Sequence, residues 1–226
     1  MNELELIGKA QTHVVTLESP RCVVHYAAAT SILAMRDAAA KVGIRLAVRS
    51  GYRDFDTQLS IWNRKWRGEK VLYSRNGQLL EHGSLAPADL LDAILSWSAI
   101  PGGSRHHWGS DIDVVDEAAI PEGYQLQLIP AEYAPSGIFS NLNAWLDDNA
   151  ADFGFFRPYQ TDRGGVMPEP WHLSYAPISM QALEALSLAT LRRVLEGSAL
   201  EGKQQVLARL PEIYTRFMLA IDMPRK

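Results

Sequence analysis

The sequence predicts an α+β fold, in which helices pack on a small antiparallel sheet and further helices follow at the C-terminal end. Three observations support this prediction. Segments that alternate apolar and polar residues are short and few, as expected for a small sheet. Segments with apolar residues at helical spacing lie between them and after them. The chain has 226 residues, of which 47% are apolar, so it is long enough for one domain with one main core.

The predicted elements of the N-terminal part alternate between helix and strand. An Ala-rich helix is predicted from Val23 to Lys41, because apolar residues recur there at helical spacing. Residues 44–52 alternate as a strand, and residues 53–68 follow as a second helix. The segment 69–84 contains an Asn-Gly pair between apolar residues, which predicts a hairpin inserted near the functional site.

Two helices and two strands are predicted in the middle of the chain. A helix is expected from Pro87 to Trp97, and a strand in the second half of residues 106–116. Ser140 is predicted to cap a helix that runs to Asp152, because serine is a preferred N-cap residue. Residues 171–176 are predicted to form a short strand.

Two amphipathic helices are predicted to finish the chain, over residues 179–196 and residues 203–222. Pro211 lies inside the second segment, so a kink or a break is expected there. The sequence does not fix whether these helices shield the site, mediate dimerisation or enlarge the core.

Composition argues against one kind of partner and restricts the residues that can bind a metal. The chain has 26 acidic and 22 basic residues, a net charge of -4 and no long run of either sign, which argues against a nucleic-acid partner. Cys22 is the single cysteine, so a metal site must use histidines and carboxylates.

Targeting signals are also absent from the sequence as given. No apolar segment of about 18 residues predicts a membrane span, and the first residues do not resemble a secretory leader. The expected location is therefore cytoplasmic, or periplasmic or cell-wall-associated if a leader has been removed. The oligomeric state is not determined by the sequence.

The segment from Ser104 to Asp113, SRHHWGSDID, concentrates residues that bind metals. Imidazole and carboxylate are the ligands that a catalytic zinc accepts when cysteine is absent. His106 lies on the loop side and Asp113 lies seven positions later on the predicted strand, so a turn between them can direct both at one ion.

A second segment, Glu169-Pro-Trp-His172, places a carboxylate three positions before a histidine. If His172 completes the ligand set, Glu169 is near enough to take a proton from water without binding the metal. Three protein ligands leave a fourth position open for water, whose pKa zinc lowers to about 7. This arrangement predicts metal-assisted hydrolysis of an amide bond.

Together with the segment from Ser50 to Gln58, these two segments resemble a known family. SGYRDFDTQ, SRHHWGSDID and EPWH look like the S-G-Y-R-x-x-x-x-Q, S-x-H-x-x-G-x-A-x-D and E-x-W-H signatures of zinc D-alanyl-D-alanine carboxypeptidases and dipeptidases. That family includes vancomycin-resistance carboxypeptidases and phage endolysin peptidases, and its fold resembles the signalling domain of hedgehog proteins. The three motifs occur in family order over about residues 24–176.

The resemblance implies a role for each matching residue. It implies that one zinc ion is bound by His106, Asp113 and His172, and that Glu169 is the general base. Arg53 matches the arginine that polarises the scissile carbonyl and stabilises the oxyanion. The remaining matches, Gln58 and Ser104, are implied to hold the substrate and to order the site. The resemblance also divides the chain into a zinc peptidase domain, residues 1–177, and a C-terminal helical extension packed on it, residues 178–226.

One position departs from the family pattern. The family commonly has a small residue two places before the aspartate ligand, and here that residue is Asp111. On a strand Asp111 shares a face with Asp113, so it is either a partner of a ligand histidine or a competitor for the metal, and we favour the first. Trp171 is expected to pack around the site, and His107 is expected to be a loop residue rather than a ligand.

The function implied by the resemblance is hydrolysis of a peptide bond next to a D-amino acid in peptidoglycan stem peptides, above all the terminal D-Ala-D-Ala bond. Two alternatives remain. One is an endopeptidase that cuts between L-Ala and D-Glu, which shares the same motifs. The other is a zinc-containing peptide-binding module without catalysis, against which the intact Glu169 and Arg53 argue.

Overall fold

The computed structural model describes residues 1–224. The strands of these residues are β1 Val14–Glu18, β2 Arg21–His25, β3 Leu46–Ser50, β4 Leu72–Tyr73, β5 Leu79–Leu80, β6 Asp111–Asp116, β7 Phe155–Phe156 and β8 His172–Tyr175. The helices are α1 Glu3–Leu6, α2 Ala29–Ala40, α3 Phe55–Trp66, α4 Pro87–Leu95, α5 Pro130–Tyr133, α6 Ser140–Asn149, α7 Ala176–Ala185, α8 Leu188–Glu196, α9 Lys203–Ala208 and α10 Leu210–Ile213. Within residues 1–224, no helix is long and apolar enough to cross a membrane.

The central sheet has four antiparallel strands in the order β3-β6-β8-β7. Strand β6 is buried along its whole length, because both of its faces are covered. Its residues alternate as the pleat requires, so Ile112 and Val114 enter the core while Asp111 and Asp113 share the opposite face. The sheet therefore presents a buried acidic face on one side.

The N-terminal hairpin was not predicted from the sequence. The predicted helix from Val23 to Lys41 is wrong at its start, because Arg21–His25 form β2 and α2 begins at Ala29. Val23 and Val24 pair with Thr16 and Val15 of β1. Two adjacent β-branched residues fit a strand better than the first turn of a helix.

The strand predicted in residues 44–52 and the helix predicted in residues 53–68 are confirmed with narrower bounds, as β3 and α3. Asp54 caps α3, since its side chain accepts a hydrogen bond from the amide of Thr57 at 2.7 Å. The predicted hairpin is confirmed as β4 and β5, which pair around a turn at Gly77. The helix predicted from Pro87 to Trp97 is confirmed as α4. The strands predicted in residues 106–116 and 171–176 are confirmed as β6 and β8.

Two details of the later helices correct the predictions, and a third confirms one. The predicted cap at Ser140 is wrong, because Phe139 occupies the N-cap position and no side chain caps α6. The single helix predicted over residues 179–196 is divided into α7 and α8, because Ser187 accepts a hydrogen bond from the amide of Thr190 and starts a new helix. The break expected at Pro211 is confirmed, since α9 ends at Ala208 and α10 begins at Leu210. A π-helical segment, Tyr214–Leu219, follows α10.

Two hydrophobic clusters fill the core. The first joins the C-terminal helices to α1, α3 and α4, through residues that include Leu6, Trp62, Leu91, Leu191, Leu210 and Ile213. The second joins the central sheet to α2 and α6, through residues that include Ile32, Met35, Ile112, Leu142 and Leu173. The C-terminal helices therefore pack on the rest of the chain as part of the first cluster.

The last described residues also hold a loop of the domain. The carboxylate of Asp222 accepts hydrogen bonds from the amides of Gln160 and Thr161 at 3.0 and 2.7 Å, and from Nε of Arg163 at 2.9 Å. The amide of Asp222 donates to the carbonyl oxygen of Pro158 at 2.9 Å. Asp222 is thus fixed to the loop that follows β7.

We predict that replacing Asp222 by Ala lowers the free energy of unfolding by about 1–3 kcal/mol, because several loop donors lose their acceptor together. Chemical denaturation of the two proteins measures the difference. Replacing Asp148, which is exposed on α6, is the matched control and is expected to have no effect. Equal stability of the Asp222→Ala variant and the wild type would contradict a structural role for this carboxylate.

Candidate active site

Three predicted ligand residues meet in one buried cluster. His106, Asp113 and His172 each offer a ligand atom, and these atoms lie within 4.8 Å of one another. Nε2 of His106 lies 3.4 Å from Oδ2 of Asp113, and Nδ1 of His172 lies 3.1 Å from Oδ1 of Asp113. The structure therefore brings together the two distant segments of the sequence.

The sheet and one glycine determine this geometry. In the antiparallel pairing of β6 with β8, Asp113 is directly opposite His172. His106 lies on a short 3-10 turn that ends at Gly109, whose φ is +64°. A Cβ atom at Gly109 would lie 2.7 Å from the amide nitrogen of His25, so only glycine allows the turn to pack there.

The two candidate ligand histidines each donate a hydrogen bond to an oxygen acceptor on the side away from the cluster. Nδ1 of His106 donates to the carbonyl oxygen of Gly51 at 2.9 Å, which leaves Nε2 with a free lone pair toward the cluster. Nε2 of His172 donates to Oδ1 of Asp111 at 3.1 Å, which directs Nδ1 toward Asp113. Such contacts orient ligand imidazoles and select their tautomers.

Asp111 lies outside the three-residue cluster and is neutralised by Arg105. Nε of Arg105 donates to Oδ1 of Asp111 at 2.7 Å, and its Nη2 donates to Oγ of Ser174 at 2.6 Å. Ser110 donates to the other oxygen of Asp111 at 2.7 Å. All of these residues are buried, so the guanidinium offsets a carboxylate that would otherwise be costly to bury.

The cluster suits a divalent cation. Oδ1 of Asp113 is buried and accepts no hydrogen bond of good geometry from residues 1–224, although Nδ1 of His172 lies 3.1 Å away. Burial disfavours the charged form of His172, but the hydrogen bond to Asp111 and the nearby carboxylate of Asp113 raise its pKa to about 10. The acidic surroundings thus attract a positive charge, and two imidazoles with one carboxylate are a ligand set of catalytic zinc.

Glu169 lies beside the cluster without belonging to it. Its Oε2 atom is 3.5 Å from Nδ1 of His172, and its side chain is 14% exposed. Burial raises the pKa of Glu169 to about 7, Asp113 adds to the rise, and His172 opposes it. The backbone fixes this residue, because the amide of Glu169 donates to the carbonyl oxygen of Tyr159 at 2.9 Å.

Arg53 faces the same cavity and is positioned by its neighbours. Its guanidinium donates to Oε1 of Gln58 at 2.8 Å and to Oγ of Ser50 at 2.9 Å. Gln58 is 1% exposed, and its Nε2 atom donates to the carbonyl oxygen of Ala99 at 2.7 Å. The structure therefore places Gln58 behind Arg53, where it orients the guanidinium.

The site residues line a cavity of about 950 Å³. Ser104 and Trp171 contribute to its wall, together with Arg53, Glu169 and the three residues of the cluster. The β4–β5 hairpin borders it at residues 70–77, and the segment 127–131 also lines it. The hairpin predicted near the site therefore does border it.

Tyr159, Lys65 and Arg105 were not singled out in the sequence, whereas His107 was expected to be a loop residue rather than a ligand and does lie outside the ligand cluster. Tyr159 lines the cavity with its ring centroid 5.1 Å from that of His172, and Lys65 lines it from the last turn of α3. His107 uses both ring nitrogens, donating to the carbonyl oxygen of Arg53 at 2.6 Å and accepting from the amide of Gly102 at 3.0 Å. Arg105 had no signal in the sequence, because its ion pair with the buried Asp111 becomes apparent only in the structure.

Sequence comparisons agree with the motifs. The family model VanY, D-alanyl-D-alanine carboxypeptidase, matches residues 21–178. A D-alanyl-D-alanine carboxypeptidase of Enterococcus faecalis is 30% identical over 145 residues, which are 63% of this chain and 44% of that protein. A Haemophilus influenzae protein of unassigned function is 33% identical over 122 residues, which are 53% of this chain and 93% of that protein.

Solved structures confirm the fold class. A mutant of the vancomycin-resistance D,D-pentapeptidase VanY in complex with Zn(II) has a TM-score of 0.52 and 25% identity, with 74% of this chain and 82% of that chain covered. VanYB in complex with D-alanine-D-alanine has a TM-score of 0.53 and 23% identity, with 79% and 86% covered. The α+β architecture with a small antiparallel sheet is shared with these proteins.

We predict that replacing Glu169 by Gln stabilises the metal-free protein at pH 8 by about 1–3 kcal/mol. The pKa of Glu169 is raised from 4.5 to about 7, so the folded protein loses stability as the pH rises through this interval, whereas Gln does not ionise. Denaturation curves at pH 8 and at pH 4 measure the effect, which should disappear at pH 4. The control is Glu184→Gln, at an exposed position of α7. Equal stability of wild type and Glu169→Gln at pH 8 would contradict the burial of a charged Glu169.

Proposed function

Because this chain belongs to the VanY family of D-alanyl-D-alanine carboxypeptidases, we propose that it is a zinc-dependent hydrolase that removes the terminal D-alanine of peptidoglycan stem peptides. The observation that carries the proposal is the cluster of His106, Asp113 and His172 with Glu169 3.5 Å away, in a cavity that Arg53 also faces. The Zn(II) complex of a structural neighbour and the D-alanine-D-alanine complex of another support the metal and the substrate.

The proposed ligands are Nε2 of His106, a carboxylate oxygen of Asp113 and Nδ1 of His172. Bound there, zinc would supply Lewis acidity, which lowers the pKa of a water molecule to about 7 and polarises a carbonyl group. Asp111 is proposed to act through His172, because it accepts a hydrogen bond from the ring nitrogen opposite the cluster. Arg105 keeps Asp111 ionised for this task.

Glu169 is proposed to be the general base. It takes a proton from the attacking water as the water oxygen forms a bond to the carbonyl carbon. When the carbon–nitrogen bond breaks, Glu169 gives this proton to the leaving amine. Its position 3.5 Å from Nδ1 of His172, in the cavity that Arg53 also lines, suits both steps.

Arg53 is proposed to stabilise the negative charge that develops on the carbonyl oxygen. The guanidinium is oriented before substrate binds, because Gln58 and Ser50 accept its hydrogen bonds. A preorganised donor of this kind contributes about 3–4 kcal/mol to transition-state stabilisation. Ser104, which lines the cavity, is proposed to contact the substrate.

We predict that replacing Glu169 by Ala leaves zinc binding intact and lowers kcat on a pentapeptide ending in D-Ala-D-Ala by about 10²- to 10⁴-fold. The reason is that the proton acceptor is lost while all three metal ligands remain. Mass spectrometry of the released D-alanine measures turnover, and metal analysis measures zinc content.

The matched control is Glu184→Ala, which removes an exposed carboxylate that does not line the cavity and should leave turnover unchanged. Turnover of the Glu169→Ala variant at the wild-type rate would refute the assigned base. Release of D-alanine also separates this activity from an L-Ala-D-Glu endopeptidase, which would release a longer peptide from the same substrate.

A further inference from the structure

The cavity wall carries three cations without an ion-pair partner in the described part of the chain, although Glu169 of the same cavity attracts Lys65 and Arg53 from a greater distance. Arg53, Lys65 and Lys70 line the cavity, and none of them forms an ion pair with a carboxylate of residues 1–224. The ammonium groups of Lys65 and Lys70 also donate no hydrogen bond within that part of the chain. These three residues are half-buried, so their charges are directed into a partly desolvated space.

The other two guanidinium groups of the cavity wall are neutralised. Arg75 forms an ion pair with Asp162 at 2.6 Å, and Arg105 forms one with Asp111 at 2.7 Å. Arg53, Lys65 and Lys70 are therefore the cations of the cavity wall that form no ion pair with a carboxylate of residues 1–224.

Lys65 is displaced along α3 from the catalytic centre. Gln58, which holds Arg53, and Lys65 are seven residues apart, which is about two turns, so they lie on one face of the helix about 10 Å apart. An extended peptide advances about 3.4 Å per residue. For a substrate that runs along this face of α3, a group that meets Lys65 lies about two to three residues from the bond that meets Arg53.

The surroundings of Lys65 favour an anion as its partner. Burial lowers the pKa of Lys65 to about 8, although Glu169 nearby opposes this shift. A half-buried ammonium without a partner is costly, and a bound carboxylate offsets that cost. Lys70 lowers the pKa of Lys65 further through repulsion, which a bound anion also relieves.

We propose that Lys65, together with Lys70, forms an anion-binding subsite that takes a free carboxylate two to three residues from the scissile bond. This inference rests on the proposed carboxypeptidase function. Since release of one terminal residue leaves nothing farther along on that side, the carboxylate belongs to the acyl part of the substrate. The enzyme thereby selects acidic peptides over neutral peptides with the same terminal residues.

The test uses two synthetic peptides that end in D-Ala-D-Ala and differ only in Glu or Gln at the second and third residues before the scissile bond. We expect the zinc-loaded wild type to prefer the Glu peptide in kcat/KM by about tenfold or more, as one charged hydrogen bond implies. Lys65→Met should remove most of this preference with little change on the Gln peptide, and Lys65→Arg should restore it.

The control is Lys41→Met, at an exposed position that does not line the cavity, and it should keep the full preference. A wild type that treats both peptides alike, or a folded Lys65→Met variant that keeps the preference, would overturn the proposal. If neither peptide is cleaved, the proposed function fails. Titration calorimetry with the same peptides then still measures whether the Glu peptide binds more tightly through Lys65.

Discussion

The antiparallel pairing of β6 with β8 is the constraint on which the site depends. It sets Asp113 opposite His172, although the two residues come from segments far apart in the chain. The register is held by the neighbouring pair, Ile112 and Leu173, whose side chains are fully buried in the second cluster. A slip of one residue would turn both apolar side chains out of the core and both ligands away from each other. The stability of the core and the geometry of the candidate metal centre are therefore secured by the same contacts.

The carboxylates on the buried face of β6 are costly to bury, and neighbouring side chains offset part of that cost. Arg105 neutralises Asp111, and Asp111 in turn orients His172. Asp113 keeps a buried oxygen without a good hydrogen-bond donor, which is costly in a protein that binds no cation. The same low-dielectric surroundings raise the pKa of Glu169. The buried carboxylates of the site therefore lower the stability of the metal-free protein. Groups with perturbed pKa values of this kind are typical of functional sites.

The sequence predicted the site better than it predicted the element boundaries, for physical reasons. Metal chemistry restricts residue types and spacing, so His106, Asp113 and His172 were identifiable without coordinates. The strand β2 was missed because the Ala-rich segment after it dominates the helical pattern, and its partner β1 becomes apparent only in the folded chain. Lys65 and Tyr159 belong to no local motif, since only tertiary packing brings α3 and the loop after β7 to the cavity. The buried Asp111 was recognised as a departure from the family, but its partner Arg105 follows from the structure alone.

In the proposed site the two segments bind one zinc ion, with an open position beside Glu169. Anomalous diffraction at the zinc absorption edge, from crystals of the protein loaded with zinc, locates the ion. We expect a single strong peak about 2.0–2.2 Å from Nε2 of His106, from a carboxylate oxygen of Asp113 and from Nδ1 of His172, with Glu169 outside the ligand set. A peak elsewhere, coordination by Asp111 or Glu169 in place of one of these residues, or no zinc bound at a stoichiometric level would contradict the proposed site.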